Sequence, residues 1–209
     1  MSTREPRRHF SMFRTFVLAD VLTIANASAG TTAIFLCLAH LASHERAYLW
    51  WAIGLLPVAL VCDALDGAVA RWRKRHSPLG ADLDSLADVV SFGVAPAVLG
   101  FTLGLDGAFD AVVLVYFVAC GISRLARYNV TSSSIADDSG KVPYYEGTPI
   151  PTSLALVAML AVLLALGRTN DALLFGELQL GPWTLHPLVL AYALSGSLMI
   201  SATIRIPKP

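Results

Sequence analysis

The sequence predicts an all-α, polytopic membrane protein with six transmembrane helices and both termini on the cytoplasmic side. Three observations predict it. Of the 209 residues, 56% are hydrophobic and only 14% charged, with a mean hydropathy of +0.63, a balance that suits a chain solvated by lipid better than a soluble domain. Apolar stretches near residues 17–40, 47–70, 81–104, 109–130, 149–167 and 184–204 each approach the ~20 residues that a bilayer requires. Basic residues are segregated: Arg4, Arg7, Arg8, Arg14, Arg71, Arg73, Lys74, Arg75, Arg124, Arg127, Lys141, Arg205 and Lys208 fall on one side, and only Arg46 and Arg168 on the other. The positive-inside rule makes the crowded side cytoplasmic and the protein a component of the cell membrane. The formal net charge is zero, so the total gives no basis for expecting a nucleic-acid partner.

Taken in order, residues 1–16 mix four arginines with Phe10, Met12, Phe13 and Phe16 and are expected to lie along the interface as a short helix, with the bases near anionic headgroups of the membrane lipids. Residues 17–209 then form a single transmembrane domain. Ala25-Asn26-Ala27 resembles a leader cleavage box, but Asp20 interrupts the apolar region and hydrophobicity resumes to Leu41, which favours a retained first helix. That helix carries Asp20, Thr23 and Asn26 ahead of Gly30. Such polar residues either hydrogen-bond between helices or line a site. His40 and His44 at i,i+4 offer half of a zinc site with no third ligand in view, so they are read as interfacial residues. Cys37, Cys62 and Cys120 are odd in number and embedded in apolar sequence, which argues against a disulfide framework.

The second and third apolar stretches meet at DALDGAVARWRKRHSPLGADLDSLAD, residues 63–88. At roughly 100° per residue, Asp63, Asp66, Gly67 and Ala70 share one helical stripe, and Gly80, Asp84 and Asp88 another. Two acidic stripes thus face each other across a short basic turn, while Asp82 is off the stripe. Each ionised aspartate within a membrane costs about 2.5 to 3.5 kcal/mol to insert, so four require a partner. Oxygen-only ligands with no His or Cys beside them suit Mg²⁺ or Mn²⁺ rather than Zn²⁺. Gly67 and Gly80 remove side chains beside the acids and let a phosphate or a flat base approach the backbone. Arg71 offers a guanidinium fork for a diphosphate or an aspartate. A cation transporter is the competing class, but it requires acids near the bilayer centre with a route to both faces, and these flank a cytoplasmic turn.

The spacing D-x2-D-G-x2-A-R-x8-G-x3-D-x3-D is complete, and it resembles the signature of the CDP-alcohol phosphotransferases. That resemblance implies a six-helix membrane enzyme, a homodimer, that moves a substituted phosphoryl group from a CDP-linked donor to an alcohol and releases CMP. It implies one or two cations held by Asp63, Asp66, Asp84 and Asp88, a nucleotide pocket formed by Asn26, Asp63, Gly67, Ala70, Arg71 and Gly80, and Asp88 as the base that takes the hydroxyl proton. LDSLADVVSFGVAPA, RLARYNV and YYEGTPIPTS, together with D-x2-T-x2-N-x3-G in the first helix, resemble the branch that uses CDP-diacylglycerol and L-serine. The likeness covers about residues 15–160. Other acceptors (glycerol 3-phosphate, an inositol phosphate, choline) and an ether-lipid donor stay open.

The remaining stretches fit the same expectation. Gly93 and Pro96 suggest a kink or a close helix contact, and Gly100-x3-Gly104 a small-residue packing face. Arg124 and Arg127 at i,i+3 are expected to form a cradle for the lipid-linked phosphate, a reading favoured over a simple membrane anchor. The polar loop 131–148 leads into Tyr144, Glu146 and Thr148, which, held by the nearby prolines, would close over the acceptor. Residues 168–183 read as an external loop, and a last helix ends before Ile206 with nothing catalytic in it.

Overall fold

The computed structural model describes residues 18–73, 80–134, 144–201, 203 and 205–207. The expected interfacial segment 1–16 and the basic turn at 74–79 lie outside them. Among the described residues the fold is carried by six helices: α1 (Leu18–Ser43), α2 (Arg46–Arg73), α3 (Gly80–Thr102), α4 (Ala108–Ser134), α5 (Ile150–Ala165) and α6 (Pro187–Ile200). The segments Leu18–Ser43, Arg46–Val69, Gly80–Thr102 and Ala108–Val130 are long and apolar enough to cross a bilayer, whereas α5 and α6 are apolar but shorter than the spans expected at 149–167 and 184–204.

Long-range contacts fix the helix directions. Only His44 and Glu45 separate α1 from α2, and His44 closes the turn in the left-handed region at φ 58°, the conformation that commonly ends a helix. The two helices therefore run antiparallel, which brings Thr23 beside Asp66. Asn26 meets Asp88 and Gly30 meets Ser91, so α3 runs parallel to α1. The mutual hydrogen bonds of Ser85 and Asn129, 3.0 and 3.3 Å, turn α4 back along α3, and the Asp110–His186, Phe117–Tyr192 and Cys120–Gly196 contacts lay α6 parallel to α4. The motif thus sits at the end of the bundle where α1 and α3 start and α2 and α4 finish.

The kink expected near Gly93 and Pro96 takes the form of a π-helical turn, Val89–Val94, in which the Ala95 N–H bonds the Val90 carbonyl. Pro96 has no N–H to return to the Phe92 carbonyl, and the turn before it widens by a residue. Phe92, Phe117, Ile150 and Tyr192 form the buried centre of the bundle. Gly100 packs inside the protomer, since a Cβ there would lie 2.6 Å from the Tyr192 hydroxyl, which itself donates to the Pro96 carbonyl at 2.8 Å.

Among the described residues, two short antiparallel ladders interrupt an otherwise helical fold. β1 (Tyr144–Glu146) pairs with β4 (Arg205–Pro207), and β2 (Leu178–Leu180) with β3 (Trp183–Leu185). The chain after the last helix, which looks inert in the sequence, is therefore the partner of the segment that carries Tyr144 and Glu146. Gly147 follows at φ +73°, and a Cβ there would run into the Met199 carbonyl, 2.9 Å from its carbon. Gly147→Ala is expected to destabilise the protein by at least about 2 kcal/mol, read as a lower melting temperature in detergent.

At the opposite end of the bundle, Asp110 is fully buried and accepts hydrogen bonds from the Gly107 N–H at 3.0 Å, the His186 N–H at 2.9 Å and His186 Nδ1. The carboxylate ties the start of α4 to the start of α6, across 76 residues of sequence. Asp110→Ala leaves three donors unpaired, the two of His186 buried, and is expected to cost about 3 kcal/mol, measured by the same melting experiment.

Candidate metal and nucleotide site

The site is built where α2 ends and α3 begins, with α1 laid across both. Carboxylate oxygens of Asp63, Asp66 and Asp84 all lie within 4.8 Å of one another, and this is the metal-capable cluster among the described residues. The i,i+3 spacing puts Asp63 and Asp66 on one face of α2, and the antiparallel return of α3 carries Asp84 to them. Asp66 is buried at 6% exposure. Asp84 Oδ1 is buried and accepts no hydrogen bond, so protein donors leave that atom uncompensated. An all-oxygen donor set with an unmatched, buried carboxylate oxygen on one of its members fits a hard divalent cation.

Asp88 stands one turn beyond Asp84, 7% exposed and outside the three-carboxylate cluster. Its Oδ1 accepts a hydrogen bond from Asn26 Nδ2 at 3.3 Å. Thr23 Oγ1 lies 2.7 Å from Asp66 Oδ2 and 3.1 Å from the Ala19 carbonyl. The polar face of α1 therefore makes interhelical hydrogen bonds, and makes them to the motif carboxylates themselves. Asn26 is fully buried, and its Oδ1 has no donor.

The other expected residues divide into those described and those not. Gly67 and Gly80 are half-buried at the ends of α2 and α3, and Asp82 is exposed, as its off-stripe position predicts. Ala70 and Arg71 belong to the last turns of α2, but their side chains lie outside the described residues, as do those of Tyr144 and Glu146. Arg124 is half-buried with its guanidinium 5.9 Å from the centroid of the Tyr128 ring, whereas Arg127 is exposed. Thr148 is half-buried, and its N–H bonds the Leu198 carbonyl at 3.1 Å. His40 and His44, ring centroids 6.5 Å apart, line a cavity of about 310 Å³ with Arg46, Leu49, Leu164, Thr169 and Asn170, with no acid among them. The three cysteines are free.

Sequence reasoning missed Ser91 and the Ser85–Asn129 pair. Ser91 Oγ donates to the Asn26 carbonyl at 2.9 Å from within the π-turn. Its signal was present, because Asp84, Asp88 and Ser91 follow at i,i+4 and i,i+3 along one polar stripe. Ser85 and Asn129 carried none, because 44 residues separate them.

Residues 16–195 match the family model described as CDP-alcohol phosphatidyltransferase. A protein of Saccharomyces cerevisiae named CDP-diacylglycerol–serine O-phosphatidyltransferase is 43% identical over 206 residues, which is 96% of this chain and 74% of the yeast protein. A Helicobacter pylori protein of the same name is 34% identical over 151 residues, 71% of this chain and 58% of its own. An archaetidylserine synthase of Methanothermobacter thermautotrophicus is 37% identical over 145 residues, 68% of this chain and 56% of its own. The chain thus spans about three quarters of the yeast relative and a little over half of the other two. The family match takes in the whole of the aspartate cluster and the α1 face that contacts it, and the chain belongs to the CDP-alcohol phosphatidyltransferase family.

Proposed function

We propose that the protein transfers the phosphatidyl group of CDP-diacylglycerol to the hydroxyl of L-serine, giving phosphatidylserine and CMP. The convergence of Asp63, Asp66 and Asp84 carries the chemistry; the names of the relatives carry the acceptor. Asp63, Asp66 and Asp84 would hold one or two Mg²⁺ or Mn²⁺ ions, and Asp88, one turn beyond Asp84, would stand at their edge. A cation bound there supplies neutralisation of charge on the diphosphate and on the departing CMP. Gly67 and Gly80 leave the backbone open to the nucleotide, with Asn26, Ala70 and Arg71 completing its pocket. Asp88 accepts the serine hydroxyl proton while the serine oxygen bonds to phosphorus and the phosphorus–oxygen bond to CMP breaks. A free aspartate is a weak base, so positioning must supply much of the rate. Arg124 and Arg127 would face the lipid-linked phosphate, and Tyr144, Glu146 and Thr148 the serine. The β1–β4 ladder supports that last assignment, because it holds the backbone of 144–146 in place.

The same reading makes all six helices cross the membrane, with both termini and the site cytoplasmic. It makes residues 1–16 an interfacial segment ahead of one domain, 17–209, and the protein a homodimer. The alternating helix directions and the segregation of basic residues support the topology; the dimer rests on the family resemblance. An ether-linked donor is the second reading, favoured by the archaetidylserine synthase among the relatives.

The test is CMP release by purified protein from CDP-diacylglycerol or its ether analogue, with serine, glycerol 3-phosphate and inositol phosphate as acceptors. Release that needs serine and Mg²⁺ or Mn²⁺, and stops with chelator, is expected. Release favouring glycerol 3-phosphate overturns the acceptor, and no release with any acceptor overturns the enzyme.

A further inference from the structure

Asn26 is gripped from two directions by α3. Its side-chain amide donates to Asp88 Oδ1 at 3.3 Å, and its main-chain carbonyl accepts from Ser91 Oγ at 2.9 Å. The carbonyl already lies one helical turn from Gly30, the acceptor position for the Gly30 N–H in an α-helix. Gly30 makes the second grip possible: a Cβ there would collide with Ser91 Oγ and lie 2.7 Å from Ser91 Cα. Ser91 and Asn26 are both fully buried, so neither hydroxyl nor amide has water as a competing partner. Ser91 belongs to the π-turn that begins immediately after Asp88, so the hydrogen bond fixes the widened turn against α1 and with it the carboxylate one residue before the turn. Thr23, one turn earlier on α1, reaches Asp66 in the three-carboxylate cluster instead.

We propose that the α1–α3 contact carries two separable positioning devices: Thr23 orients Asp66 as a cation ligand, and the Gly30–Ser91–Asn26 lock orients Asp88 for the transfer step. This rests on the phosphatidyl-transfer reading. The physical basis of the separation is that the two devices hold different carboxylates by different bonds. Losing the Thr23 hydroxyl frees a carboxylate oxygen of Asp66. Losing the Ser91 hydroxyl lets the π-turn move and leaves the cluster on α2 and Asp84 in place.

The experiment compares full-length wild-type protein with Thr23→Val and Ser91→Ala in detergent, using Mn²⁺ binding read by electron paramagnetic resonance and steady-state CMP release at saturating Mn²⁺. Thr23→Val, which keeps the side-chain shape, is expected to weaken Mn²⁺ binding about tenfold. Ser91→Ala is expected to lower kcat about tenfold, with the KM for CDP-diacylglycerol and the Mn²⁺ affinity within about twofold of wild type. Ser91→Cys keeps a weak donor at similar volume and should give an intermediate kcat; it also serves if Ser91→Ala does not fold. Equal weakening of Mn²⁺ binding by both variants, or a wild-type kcat in Ser91→Ala, overturns the inference while leaving the transfer reading intact. Wild-type protein that releases no CMP overturns the transfer reading and the inference with it.

Discussion

Asp84→Asn is expected to lower CMP release by at least about a thousandfold, because it removes charge from the point where transition-state charge is neutralised. The substitution keeps the shape of the side chain and changes only the charge of one arm of the cluster. Asp84 is the arm whose buried Oδ1 has no protein donor, and its side chain meets only that of Asp63 within the cluster, an interaction that an asparagine amide can keep. The same change should act in the opposite direction on stability. Three carboxylates within 4.8 Å repel one another by about 3 kcal/mol per ionised pair at an effective dielectric of about 20. Removing one without a cation present relieves part of that repulsion, and a gain of about 1 kcal/mol corresponds to a melting temperature higher by about 2–4 °C. The pair of measurements is CMP release with Mn²⁺ and thermal melting with chelator. A variant that loses activity and also melts lower in chelator would mean that Asp84 is there to hold the fold.

Asp88→Asn should also silence the enzyme, by a different route. Removing a positioned base costs about 10²- to 10⁴-fold in kcat. Asn26 Nδ2 can still donate to the Oδ1 of an asparagine, so the side chain stays where Asp88 is held. Because Asp88 stands outside the three-carboxylate cluster, Mn²⁺ binding in this variant is expected within a few-fold of wild type. Retained Mn²⁺ binding with lost turnover supports the base. Mn²⁺ binding lost as fully as in Asp84→Asn would make Asp88 a fourth ligand and would require another group to take the serine proton. A wild-type rate would remove Asp88 from the mechanism.

The two variants probe a distinction that spacing does not make. In the sequence, Asp84 and Asp88 are equivalent members of one stripe. In the fold, Asp84 turns to α2 and Asp88 to Asn26 of α1. Helical periodicity says that two side chains share a face; it does not say which neighbouring helix each will meet. The same limit applies to Gly100, where the small-residue pattern announced a close contact and only the packing showed that Tyr192 makes it.

What the sequence by itself determined is local and periodic. The apolar lengths set where helices form, the i,i+3 and i,i+4 spacing of Asp63, Asp66, Asp84 and Asp88 set which carboxylates line up, and the oxygen-only side chains set which class of cation they could hold. These follow from backbone geometry over a few residues, and any chain with that pattern would show them. Tertiary structure alone decided the rest. The π-turn after Asp88, the Ser91–Asn26 bond across 65 residues, the Asp110–His186 tie across 76 and the pairing of 144–146 with 205–207 each join segments with no local pattern in common. Such contacts are selected by how buried polar groups and close-packed surfaces satisfy one another once the helices are side by side, a property of the assembled bundle that no single stretch of chain encodes.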